Sequence, residues 1–109
     1  MSTLSTHVLD TALGRPAQGI RVVLERDGVT LGSGATDVDG RVRDILTSGM
    51  QLGPGDHRLT FHVGEYFAST GTESFYNVIV VDFRVGAGSD HYHVPLLLSP
   101  FGYSTYRGS

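Results

Sequence analysis

Short apolar runs with a period of two dominate this chain, and glycines separate them. Ile20, Val22 and Leu24 alternate with Arg21, Val23 and Glu25, the spacing of a strand that buries one face. Asp27-Gly28 follows, a pair that turns one strand back onto the next. Val29 to Thr36 is the expected partner strand, weakened by Gly32 and Gly34. Fifteen glycines in 109 residues suit an all-β fold with many turns. The pattern amounts to about seven or eight short strands with turns every eight to twelve residues, for which a β-sandwich is the natural packing. The length holds one core and not two, so residues 1–109 are expected to form a single domain.

The remaining segments fit that frame. Leu4, Thr6 and Val8 alternate with Ser5, His7 and Leu9, giving a first strand with the Leu4 set inward and His7 outward. Thr36 to Arg41 reads as a turn into a short strand, Val42 to Leu46. Asp56 to Val63 alternates around Leu59, Phe61 and Val63, and Gly64 to Gly71 is the one stretch with room for a short helix. Val78 to Val85 is rich in β-branched residues and predicts a buried strand. The last nineteen residues predict a hairpin. His91, His93, Pro95 and Leu97 share one face, Tyr92, Val94, Leu96 and Leu98 the other, and Ser99-Pro100-Phe101-Gly102 turns the chain.

Composition narrows the function. A net charge of −3 without a basic cluster lacks the footprint of a nucleic-acid binder. All eight basic residues are arginine, which removes lysine-based covalent chemistry, and the absence of cysteine removes thiol nucleophiles, disulfides and thiolate metal sites. The first residues have neither the basic nor the apolar region of a signal peptide, and no apolar run reaches membrane-spanning length. A cytoplasmic protein without a membrane partner is the expectation.

Several local patterns carry no chemistry. Gly32-Ser-Gly34 and Gly86-Ala-Gly88 lack the helix and third glycine of a dinucleotide loop. Asp37-x-Asp39-Gly40 lacks the later ligands of a calcium loop and is expected to be a turn that projects Arg41. His91 and His93, at i and i+2 on one strand face, could bind zinc if His7 approached as a third ligand. Histidines merely tolerated on a half-exposed strand are the commoner case, and His57 and His62 are read as surface or satisfied core residues. Tyrosines such as Tyr103 and Tyr106 pack more often than they act as acids, because their hydroxyls titrate far above neutrality.

The C-terminal stretch from His91 to Ser109, HYHVPLLLSPFGYSTYRGS, closely resembles the 5-hydroxyisourate hydrolases, the transthyretin-like enzymes of urate degradation. The terminal Tyr-Arg-Gly-Ser is that family's hallmark. Leu4 to Asp10, Gly14 to Ala17, and Thr36-Asp37-x-Asp39-Gly40-Arg41 agree as well, so the likeness runs the length of the chain. The resemblance implies a sandwich of two four-stranded sheets with one short helix. It also implies a homotetramer, a dimer of dimers pierced by a channel, with active sites where the dimers meet. The family's catalytic set falls on His7, Arg41, His93 and Ser109, with Tyr106, Arg107 and Gly108 completing the terminal motif at the substrate.

The implied reaction is hydrolysis of the six-membered lactam of 5-hydroxyisourate to 2-oxo-4-hydroxy-4-carboxy-5-ureidoimidazoline, with no metal or organic cofactor. Histidine suits the base for water, and the fork of Arg41 suits a carbonyl oxygen or urea-like edge. Either His7 or His93 could be the base, the other bonding substrate. Ser109 would orient substrate or a histidine through its hydroxyl or terminal carboxylate. The rival is a carrier of a small hydrophobic ligand in the same channel, and the polar groups His7, Arg41, His93 and Tyr106 count against it. If the strands bearing His7 and His93 are neighbours in one sheet, both imidazoles share a surface.

Overall fold

The computed structural model describes residues 2–109. Its elements are β1 (Thr3–Asp10), β2 (Arg15–Pro16), β3 (Arg21–Arg26), β4 (Val29–Ala35), β5 (Arg41–Val42), β6 (Gly55–Phe61), α1 (Val63–Ser69), β7 (Ile79–Val85), β8 (His91–Ser99) and β9 (Gly102–Thr105). They form two sheets. One has the order β2-β1-β8-β9 with β5 also on β1, and the other has the order β4-β3-β6-β7. The expected four-stranded sheets are thus one of four and one of five. The fifth strand arises because two short pieces share one edge of β1: Pro16 pairs with Leu9, and further back along β1 Arg41 pairs with His7.

Alternation built the core as expected. Leu4 and Val8 of β1, Val22 and Leu24 of β3, Leu59 and Phe61 of β6, and Leu96 and Leu98 of β8 are all fully buried between the sheets. Asp27 and Gly28 both take positive φ, 52° and 78°, as a two-residue turn of that hand demands. Within α1, Val63, Tyr66 and Phe67 recur at helical spacing on the buried side. The Tyr66 hydroxyl donates to Asp10 Oδ2 at 2.8 Å, while Asp10 Oδ1 accepts from the N–H groups of Ala12 and Leu13. Burial and that carboxylate push the Tyr66 hydroxyl up to about 12. One buried side chain thereby fixes the end of β1, the following turn and the helix.

Three expectations need correction. Val78 to Val85 is not buried on both faces: β7 is an edge strand, with Val80, Asp82 and Arg84 exposed. Val63 ends the alternation of β6 and instead opens α1. The strand expected over Val42 to Leu46 shrinks to Arg41–Val42, after which the chain crosses to the other sheet and Leu46 bridges Gly32. A Cβ on Gly32 would lie 1.8 Å from the Ile45 carbonyl oxygen, so this crossing requires glycine there.

Candidate active site

β1 lies parallel to β8, and this pairing joins the two ends of the chain. Ser5 stands opposite His93 and His7 opposite Pro95. On the other edge of β1, His7 stands opposite Arg41. Because directly paired residues project to the same side of a sheet, Arg41, His7, Ser5 and His93 share the outer face. Leu9 and Leu97, also opposite each other, continue that face toward the far end and are half-buried.

A carboxylate builds the Arg41 position. Asp37 Oδ1 accepts from the N–H of Asp39 at 2.9 Å and of Arg41 at 3.0 Å, and the Asp37 N–H donates to the Arg41 carbonyl. These bonds, the one from Arg41 first, hold the Asp37 carboxyl below its usual range. Asp37 is therefore a turn-former and not a calcium ligand. Gly40, at φ 76°, lets the turn lie on β1, because a Cβ there would sit 2.4 Å from the Val8 carbonyl oxygen. Among the described residues, ion pairs engage Arg21, Arg26, Arg43, Arg58 and Arg84, but not Arg41. Its neighbour Arg43 takes both nearby acids, Asp37 and Asp39. The guanidinium of Arg41 is left available.

His93 is half-buried, with Nδ1 2.8 Å from Ser5 Oγ. The Gly108 N–H donates to the His93 carbonyl at 2.8 Å. Gly108 also lies flat against the ring: a Cβ there would approach His93 Cδ2 to 2.6 Å. Burial, then the charges of Arg41, His7 and His91, hold the His93 imidazole below its usual range, against a smaller opposing effect of Ser5. The ring is therefore mostly neutral at neutral pH. A depression of about 200 Å³ lies alongside, lined by Ser5, Thr6, Arg41, Arg43 and His91.

Of the other expected residues, His91 borders that depression, and Tyr106, Arg107 and Ser109 do not. His91 is exposed, with its two nitrogens bonded to Thr3 Oγ1 and Ser5 Oγ. No group of three His, Cys, Asp or Glu among the described residues is placed to hold a metal ion. Arg107 places its guanidinium 4.5 Å above the Tyr92 ring, on the inner face of β8. With Tyr106 it lines an apolar pocket of about 310 Å³ at the open edge of the sandwich, among Val81, Phe83, Tyr92 and Val94. Ser109 is exposed beyond Gly108. Ser5 was not singled out by sequence reasoning. Its signal was position, two residues before His7 on the same face, but only the pairing with β8 sets it between two histidines.

Comparison with known proteins bears on the fold and the site together. The family model described as HIUase/Transthyretin family matches residues 4–108. The chain belongs to that family. Within the HIUase/Transthyretin family, a 5-hydroxyisourate hydrolase of Caulobacter vibrioides is 48% identical over 117 residues, covering all of both chains. A solved 5-hydroxyisourate hydrolase of Klebsiella pneumoniae is 45% identical, covers both chains fully and superposes with a TM-score of 0.90. Sea bream transthyretin, solved with thyroxine, shares the fold of this family at a TM-score of 0.87 but only 30% identity, over 97% of this chain and 94% of its own.

Proposed function

We propose that this protein is a 5-hydroxyisourate hydrolase, opening the six-membered lactam to 2-oxo-4-hydroxy-4-carboxy-5-ureidoimidazoline in purine degradation. One observation carries the reading: an unpaired guanidinium, Arg41, stands opposite His7 and one strand from a neutral His93. A carrier of apolar ligands has no use for a free cation and two imidazoles on its binding wall. The names of the full-length relatives at 45–48% identity point the same way.

In this scheme the depressed imidazole, His93, is the base. Arg41 holds the lactam carbonyl oxygen and stabilises the negative charge that gathers there. His93 takes a proton from water as the oxygen attacks; the acyl–nitrogen bond breaks and the proton passes to the leaving nitrogen. His7 bonds the substrate beside Arg41, and Ser109 orients it from the terminal segment. Gly108 keeps the His93 ring in place, while Tyr106 and Arg107 anchor the segment across the edge of the sandwich. No resident cofactor enters these steps. The open outer face is completed by further copies, in a homotetramer whose sites lie where dimers meet, and residues 1–109 act as one domain. No helix among the described residues is long and apolar enough to cross a membrane.

The test is optical. Added protein should speed the loss of near-ultraviolet absorbance of freshly generated 5-hydroxyisourate. An unchanged decay, with saturable binding of an apolar aromatic ligand instead, would favour the carrier.

A further inference from the structure

Four side chains form a continuous hydrogen-bonded series beside the site. Thr3 Oγ1 bonds His91 Nδ1, His91 Nε2 lies 2.9 Å from Ser5 Oγ, and Ser5 Oγ lies 2.8 Å from His93 Nδ1. A serine hydroxyl has one proton and can donate along only one of these two contacts. It must accept on the other. The imidazoles on either side of Ser5 are therefore not independent: the nitrogen that is bare on one ring determines which is bare on the other. Ser5 and Thr3 come from β1 and both histidines from β8, so the series exists only because these strands pair in this register.

We infer that Ser5 is a positioning residue for His93, fixing its tautomer so that Nδ1 carries the proton and a bare Nε2 meets the substrate, with His91 and Thr3 completing the lock. The inference rests on the hydrolase reading of the same site. In the productive arrangement His93 Nδ1–H donates to Ser5 Oγ, the Ser5 hydroxyl donates to His91 Nε2, and His91 Nδ1–H donates to Thr3 Oγ1. Each of the three contacts then has one donor and one acceptor, and the Thr3 hydroxyl proton is left to solvent, where Thr3 is exposed. The role sets this direction over its reverse: Ser5 occupies Nδ1, so Nε2 is the nitrogen left to take a proton, and it must be bare to do so. Arg41 from β5, His7 from β1 and His91 on β8 all bear on the ring as positive or potentially positive charges, and Gly108 presents only backbone. The hydroxyl oxygen, 2.8 Å from Nδ1, also supports the imidazolium that forms when Nε2 takes the proton of water, because it accepts from Nδ1–H.

Two measurements on Ser5→Ala and Ser5→Thr test this. The first is nitrogen-15 NMR of the His93 ring at neutral pH, which needs no turnover. Wild type and Ser5→Thr should show the Nδ1–H tautomer, and Ser5→Ala a mixture of the two. The second is the pH profile of kcat. Ser5→Ala should lose turnover on the order of 10²-fold through misplacement of the base, with KM little changed. Its acidic limb should move to lower pH, since the acceptor that favours imidazolium is gone; Ser5→Thr should restore rate and limb. A wild type inactive on 5-hydroxyisourate would sink the hydrolase reading while the NMR still decided the tautomer. A single unchanged tautomer in Ser5→Ala, or an unmoved limb at wild-type kcat, would overturn the inference.

Discussion

Arg41 makes no ion pair among the described residues, although its charge is felt by the Asp37 carboxylate in the same turn. Five other arginines bind carboxylates, and the acids within reach of Arg41 are occupied by backbone or by Arg43. Replacing it, as Arg41→Gln, removes no contact that the fold depends on. Turnover should fall by the equivalent of about 2.7–4 kcal/mol, the usual loss for one oxyanion donor, while the thermal midpoint stays put. Wild-type turnover in this variant would take Arg41 out of the site. His57 is the opposite case, a residue for the fold alone. It is 2% exposed, stacks on Phe83, donates its Nδ1–H to the Gly55 carbonyl, and leaves Nε2 without a partner among the described residues. Burial depresses its pKa. Below about pH 6.5, the unfolded reference value, the unfolded chain takes up a proton that the folded protein resists, so stability falls as pH falls. Urea midpoints should therefore drop on acidification less in His57→Phe than in wild type, although His93 keeps part of the dependence. Equal drops would show that His57 does not govern it.

Most elements were legible in the sequence because half-buried strands advertise themselves by alternation. β1, β3 and the β8–β9 hairpin fall where the pattern sets them, and so do the turns at Asp27-Gly28 and Pro100-Phe101. The run Val78 to Val81 misled because β-branched residues favour any strand, buried or edge, and composition does not say which neighbour is absent. The site divides similarly. His7, Arg41 and His93 were named by resemblance; a common face for the two histidines followed from periodicity once β1 and β8 were neighbours, and Arg41 joins them through the pairing of β5 with β1. Ser5 was not, because parallel pairing of the chain's two ends leaves no local trace. Nor was the packing role of Gly108. A methyl there would press on His93 Cδ2 and on Pro95 Cγ, 2.6 and 3.2 Å away. Gly108→Ala should accordingly lift the terminal segment and cut turnover by on the order of 10²-fold, with the urea midpoint nearly unchanged because the core is untouched. Unaltered turnover would mean that the segment does not hold the base.

At the scale of the whole molecule, the two faces of the sandwich differ in kind. The outer face of the β4-β3-β6-β7 sheet is a charged ladder: Glu25 stands opposite Arg58, Arg58 opposite Asp82, and Asp56 opposite Arg84. The other outer face carries the imidazoles, a free guanidinium and half-buried Leu9 and Leu97. The first suits water. The second suits a surface that other copies cover, so light scattering should give four times the mass of one chain; a stable, active monomer would refute closure of the site by assembly. The central claim is that β1 gathers a base and a cation from distant parts of the chain into one hydrolytic centre. The most direct test is the rate of 5-hydroxyisourate loss with His93→Asn beside wild type, both shown to be folded. The account predicts a fall of about 10²–10⁴-fold, the range for a lost general base; a rate equal to wild type would contradict it.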